Sequence, residues 1–150
     1  MKLEEVLKTE RFESMKQKAM LNVMYTAYWA KTKVSTTLKN HGLTTEQFNV
    51  MRILKGKHPE AMCVKDIASR MVEKSSNVPR IIDRMIVKGV AIRTQSEEDR
   101  RETLVSITDK GLKILEKANV DISTINMGLG LNEEDALLLN DLLERLRLED

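Results

Sequence analysis

Residues 64–89 read VKDIASRMVEKSSNVPRIIDRMIVKG, and this stretch decides the fold. Val64, Ile67, Ala68 and Met71 fall at i, i+3, i+4 and i+7, the spacing of one apolar face on a helix of about two turns. A short polar break follows. Val78, Ile81, Ile82, Met85 and Ile86 then repeat the spacing as far as Gly89, which ends the second helix. Two short helices joined by a few residues make a helix-turn-helix pattern.

Downstream the period changes. Val90-Ala91-Ile92-Arg93-Thr94 and Thr103-Leu104-Val105-Ser106-Ile107 are rich in β-branched residues and flank the charged stretch 96–102. They predict a β-hairpin with a long polar tip, a wing. Thr108-Asp109 caps another helix, with Leu112, Leu115 and Ile122 on its inner face. After the break at Met127-Gly128-Leu129-Gly130, Asn132 followed by Glu133, Glu134 and Asp135 opens a last helix, because acidic groups favour the positive end of the helix dipole. Leu139, Leu142, Leu143 and Leu146 give it a clean apolar stripe.

Upstream, residues 10–40 hold no Gly or Pro. Phe12, Met15, Ala19, Val23, Ala27, Ala30 and Val34 form one seam on a long helix that ends at His41-Gly42. Thr44 or Thr45 caps the next, whose inner face carries Phe48, Met51 and Leu54, until Gly56 and Pro59 stop it. The expected fold is mainly α with a small β-hairpin: a winged helix-turn-helix over 43–111, with dimerisation helices in 1–42 and 112–150. The terminal helices carry more apolar surface than one small winged domain covers, and a second copy is the simplest cover for it.

Composition narrows the function classes. The chain has 150 residues and a net charge of +2, too small to argue for nucleic acid by itself. Its distribution is uneven. Residues 1–62 carry 11 basic and 6 acidic groups (+5), residues 63–111 carry 10 and 8 (+2), and residues 112–150 carry 4 and 9 (−5). That order fits an acidic end held away from a polyanion, and equally an uneven solvated surface. The single cysteine, Cys63, excludes an intramolecular disulfide framework. With no signal peptide and no membrane span, the chain reads as cytoplasmic.

On the second helix of the pair, turning the apolar stripe inward leaves Ser76, Asn77, Arg80, Arg84 and Lys88 outward or on the flank. A DNA-reading helix needs such a face: short hydrogen-bonding side chains in its first turn for base edges, and cations on its flanks for phosphates. Pro79 belongs in a first turn, where its missing N–H has no intrahelical partner, so Ser75 or Ser76 is expected as the cap. The wing tip gathers Asp99, Arg100 and Arg101. An arginine on a thin ribbon can enter the minor groove, and a neighbouring carboxylate can orient it. Arg93, at the base of the wing, is placed to pair with Asp99.

No catalytic arrangement is found, and no cofactor or metal is expected. His41 and His58 lie in loops with no Cys, Asp or Glu at metal-ligand spacing, and Cys63 reads as a structural thiol at a short strand or helix entrance. Met20, Met24, Tyr25, Tyr28 and Trp29 concentrate polarizable and aromatic groups on the first helix. Core or dimer packing explains them, and so does a small-molecule pocket formed by Met24, Tyr25, Tyr28 and Trp29.

Several stretches together resemble the MarR (multiple-antibiotic-resistance regulator) family. They are Leu43-Thr44-Thr45-Glu46-Gln47-Phe48, Val64-Lys65-Asp66-Ile67-Ala68, Arg80-Ile81-Ile82-Asp83-Arg84-Met85 through Lys88-Gly89-Val90, Arg93 with Asp99-Arg100-Arg101, and Leu104-Val105-Ser106-Ile107-Thr108-Asp109-Lys110-Gly111. The resemblance implies an obligate homodimer joined through its first and last helices, a recognition helix at 75–88 and a wing at 90–107 on near-palindromic promoter DNA. It implies base contacts from Asn77 and Arg80, a minor-groove arginine in Arg101 held by Asp99, and a backbone contact from Lys65. Family members usually repress and are released by a phenolic or other lipophilic compound, or by an oxidant. Pro79 departs from the small hydroxyl residue common at its position, and the early cysteine of oxidant sensors is missing. The partners expected are therefore double-stranded DNA, a second copy of the chain and a small lipophilic or phenolic ligand, with no membrane. A winged-helix module for protein–protein contact, without a DNA target, is the alternative.

Overall fold

The computed structural model describes residues 1–9, 11–74, 77–96 and 102–147. Its elements follow in the order α1 (Leu3–Leu7), α2 (Met15–Lys39), α3 (Thr45–Lys55), β1 (Met62–Cys63), α4 (Val64–Arg70), α5 (Val78–Val87), β2 (Ala91–Gln95), β3 (Thr103–Ile107), α6 (Asp109–Met127) and α7 (Glu133–Leu146). The protein is mostly helical with a small antiparallel sheet, as the alternation of periods predicts.

Three boundaries differ from the sequence reading. The long helix begins at Met15, because Ser14 caps it by accepting the Gln17 N–H (3.1 Å), so Phe12 precedes the seam it was expected to open. The α5 helix begins at Val78 with Asn77 at the cap position, instead of at Ser75 or Ser76; Ile81 N–H makes the first helical bond back to the Asn77 carbonyl (3.1 Å). Pro79 then sits inside the first turn, where no N–H is required of it. The hairpin also gains a third strand, giving the order β1-β3-β2, with Met62 opposite Val105 and Cys63 opposite Leu104. Two residues carry no period, yet the short strand or helix entrance expected at Cys63 is there: Cys63 ends β1 and caps α4. The five-residue α1 is equally too short to announce itself.

One core joins all but the terminal elements. Leu38 from the last turn of α2, Val50, Met51 and Leu54 of α3, and Ile67 of α4 meet Val78, Ile82 and Met85 of α5, Val105 of β3, and Leu115 and Ala118 of α6. Each larger side chain buried here contributes about 1.5–3 kcal/mol. The corner between α2 and α3 adds a side-chain hydrogen bond between His41 Nε2 and Asp121 Oδ2 of α6 at 2.7 Å, an acidic neighbour that sequence spacing could not supply. In contrast, Leu137, Leu138, Leu139, Leu142 and Leu146 of α7 and Met15, Met20, Met24 and Tyr28 of α2 are exposed on the single chain.

Two contacts lock the far end of α5 to this core. Thr44 and Gln47 cap α3 reciprocally: the Thr44 hydroxyl accepts the Gln47 N–H (3.2 Å) while Gln47 Oε1 accepts the Thr44 N–H (3.3 Å). Gln47 is buried, and its Oε1 also accepts from Lys88 Nζ at 3.0 Å; the same ammonium donates to the Gly42 carbonyl at 2.6 Å. Beyond Gly89 (φ +70°), Thr108 N–H donates to the Val90 carbonyl at 3.2 Å, and this brings the first turn of α6 against the start of β2. Gly111 makes that approach possible, since a Cβ there would stand 2.3 Å from the Val90 oxygen and 2.8 Å from Ile107 Cγ1.

Gly111→Ala is therefore expected to lower stability by about 3 kcal/mol, at the upper end of overpacking effects, because the obstacle is backbone. Urea denaturation followed by circular dichroism measures it, and a loss under about 1 kcal/mol would show that the approach relaxes cheaply. Gln47→Leu keeps the volume but removes the Gln47 half of the reciprocal cap and one acceptor of Lys88, leaving the Thr44 hydroxyl on the residue-47 N–H. It should cost about 1–2 kcal/mol in the same assay.

Candidate nucleic-acid interface

The rotation of α5 is set by its buried side. Val78, Ile82 and Met85 are at most 1% exposed, and Ile81 and Ile86 pack partly against the same core. The opposite side therefore presents Arg80, Asp83, Arg84 and Val87 to solvent, with Asn77 exposed at the N-terminal end. Of the residues singled out in the sequence, Asn77, Arg80 and Arg84 thus share one exposed helix surface. Ser75 and Ser76 lie outside the described residues.

Lys65 is exposed in the first turn of α4. That helix starts with Cys63, whose sulfur accepts the Asp66 N–H at 3.4 Å, so the one cysteine is both the end of β1 and a cap. Its role is structural chemistry that its neighbours Met62 and Val64 only hinted at.

The wing is a regular ladder from Ala91 opposite Ile107 to Gln95 opposite Thr103, closed by Ser96 N–H to the Glu102 carbonyl at 3.1 Å. Asp99, Arg100 and Arg101 lie outside the described residues. Arg93 takes a partner that sequence reasoning did not name: its Nη2 meets Asp83 Oδ1 of α5 at 2.7 Å, while Asp99, the partner expected for it, lies outside the described residues. The pair joins the base of the wing to the exposed side of α5 and neutralises the one carboxylate on that side of the helix. Sequence carried no signal for it, since the two residues stand ten apart across a helix end and a turn.

At the end of α5, the cations face backbone carbonyls. Lys110 Nζ donates to the Lys88 carbonyl at 2.7 Å and the Thr108 hydroxyl to the Gly89 carbonyl at 2.8 Å, which satisfies acceptors that a helix C-terminus leaves open. Lys88, placed on the flank by the sequence, is committed to the α2–α3 corner.

A cleft of about 690 Å³ lies between α2, α3 and the turn that follows α4. Phe48, Val34, Ile53 and Met71 give it apolar walls, while Lys31, Glu46, Arg52, Arg70 and Glu73 bring charge to its rim. The four residues expected as one pocket are instead spread along α2: Tyr25 and Trp29 line a depression of about 320 Å³ against α1, Tyr28 borders another, and Met24 is exposed. Their helix is too long and too little covered in one chain to gather them. The Glu73 carboxylate reaches Lys31 Nζ at 2.8 Å and holds that ammonium protonated above its ordinary range, with Glu46 adding a smaller contribution.

Comparison with known proteins agrees with this geometry. The MarR family model matches residues 43–103. YkoM of Bacillus subtilis, an uncharacterized HTH-type transcriptional regulator, is 30% identical over 105 residues, 67% of each chain. The MarR transcription factor of Planctomyces limnophilus superposes with a TM-score of 0.69 at 30% identity, covering 92% of this chain and 97% of that one. BpsR of Bordetella bronchiseptica, whose DNA binding is regulated by 6-hydroxynicotinic acid, superposes with a TM-score of 0.76 at 21% identity, covering 93% and 99%. With the helix pair, the wing and the flanking helices all in place, the chain belongs to the MarR family of transcription regulators.

Proposed function

We propose that the protein is a homodimeric, sequence-specific regulator that represses from near-palindromic promoter DNA and is released by a small molecule. The observation that carries this reading is the buried stripe of α5, which leaves Asn77, Arg80 and Arg84 on one exposed surface beside the wing. In this reading Ser75, Ser76, Asn77 and Arg80 meet base edges in the major groove. Arg84 and Lys65 meet phosphates, and Arg101, with Arg100 beside it and Asp99 orienting it, enters the minor groove. Arg93 steadies the wing through Asp83.

The second copy covers what one chain leaves open. Residues 1–42 and 112–150 supply the interface around the 43–111 winged domain, and the five exposed leucines of α7 with the exposed methionines of α2 are its apolar content. A two-fold dimer would set two α5 helices roughly 34 Å apart, one turn of DNA. Release then needs a ligand that prefers another spacing, and it lowers DNA affinity by no more than that preference. The 690 Å³ cleft is of ligand size and adjoins the turn into α5. The regulation of BpsR by a small aromatic acid supports the same order of events.

Duplexes selected from a random pool and titrated by fluorescence anisotropy test the reading. Arg80→Ala should lose about tenfold or more in affinity, and Lys65→Ala should reduce the salt slope by about one. Arg101→Ala should weaken binding while the dimer stays folded. An affinity indifferent to salt would sink the DNA assignment in favour of a protein-binding winged module, because phosphate contacts release counterions. Separately, Leu139→Glu with Leu142→Glu places two charges on the α7 stripe without touching the buried core, and sedimentation should then show a folded monomer. A dimer of unchanged strength would exclude α7 from the interface.

A further inference from the structure

The β2 strand packs beside α5, and one face of the wing ladder turns toward that helix. Side chains alternate along a strand, so Ala91, Arg93 and Gln95 share one face of β2. Their partners across the ladder are Ile107, Val105 and Thr103. Ala91, Val105 and Ile107 are buried, which fixes this as the inner face. Toward the tip of the wing the same face passes from core to solvent: Arg93 and Gln95 are exposed and Thr103 is half-buried. These three line a crease between the wing and α5. The helix side of the crease carries Asp83, with Arg80 one turn before it on the same exposed surface.

Across the crease Arg93 Nη2 meets Asp83 Oδ1 at 2.7 Å. Holding the wing in place does not need this pair. The ladder, the burial of Ala91 and Ile107, and the bond from Thr108 N–H to the Val90 carbonyl already fasten β2 and β3 to the core. An ion pair whose side chains are 41% and 56% exposed adds little to that. What the pair does fix is the direction of the guanidinium. Among the described residues one of its nitrogens is engaged, by one carboxylate oxygen, and the rigid fork carries five N–H donors in all. Two cations, Arg80 and Arg93, flank a single carboxylate, so the crease stays positive with the pair intact. Gln95 and Thr103 add uncharged donors. An anion suits this lining.

The shape of DNA says which anion. On a duplex, one line of phosphates separates the major groove from the adjoining minor groove. A protein with α5 in the first and its wing in the second must straddle that line where helix and wing meet, and the crease is that place. We propose that Arg93, set by Asp83, grips a phosphate of this dividing backbone. Arg93 is then a DNA contact as well as part of the wing, and Asp83 is a positioning residue. The inference rests on the reading of the protein as a DNA binder, and adds a contact that neither the first turn of α5 nor the wing tip provides.

The probe is a duplex selected from the random pool and carrying a single methylphosphonate, a neutral replacement for one phosphate, placed in turn across a half-site. With the wild-type protein, one replacement between the α5 and wing footprints should cost about tenfold in affinity. In Arg93→Ala the same replacement should cost less than about twofold, and the salt slope should fall by about one per half-site. Arg93→Gln keeps length and polarity, and gives the same reading where the alanine variant does not fold. Asp83→Asn removes the orienting charge and leaves the guanidinium, so the slope should hold while the penalty at that phosphate shrinks. A side chain that only stiffened the wing would leave the penalty at every phosphate intact when removed. That outcome, or a wild-type penalty in Asp83→Asn, would overturn the proposal. Should the wild-type protein bind no duplex in a salt-dependent way, the DNA reading falls and the contact with it. Should it bind steeply while both Arg93 variants match it in slope and at every phosphate, the DNA reading stands and only the contact at the crease is lost.

Discussion

Burial of one side of α5 is the constraint on which the rest of the structure depends. Val78, Ile82 and Met85 are almost wholly removed from water, at about 1.5–3 kcal/mol each. The ion pair seen on the other side of the helix does not approach that. The Arg93–Asp83 pair, with both side chains well exposed, contributes at most about 1 kcal/mol. Apolar packing therefore chooses which way α5 faces, and the ion pair adjusts the wing against a helix whose rotation is already settled. A helix has one inward stripe, so the exposure of Arg80 and Arg84 is a consequence of that packing and needs no interaction of their own.

The C-terminal end of α5 is tied to two other parts of the chain. At the C-terminal end, Lys88, Gly89 and Val90 meet Gln47, Gly42, Thr108 and Lys110, and most of these contacts engage backbone carbonyls that cannot move without moving the α2–α3 corner or α6. Gly111 closes that end by allowing a backbone approach no other residue permits. On the N-terminal side, among the described residues of the preceding turn, Val72 N–H donates to Asn49 Oδ1 and Glu73 pairs with Lys31 of α2. The side chains proposed to meet bases stand toward that end, away from the anchor at Lys88.

Periodic features of the sequence were legible and pairwise ones were not. The helix pair, the wing strands and the caps Thr108 and Asn132 follow from spacing and local hydrogen-bonding chemistry, and each stands in the structure; of Thr44 and Thr45, both suited to cap α3, the structure uses Thr44. Ser75, Ser76 and Asn77 are three polar residues in a row that all suit a cap, so spacing alone does not tell that the helix starts after the last of them. The β1 strand and α1 are too short to carry a period. Asp83 with Arg93, Lys31 with Glu73 and His41 with Asp121 join residues from 10 to 80 positions apart, and no local pattern marks such partners. The aromatic and methionine cluster of α2 was legible as a composition, but its division between two depressions and open solvent depends on what α1 and a second chain cover.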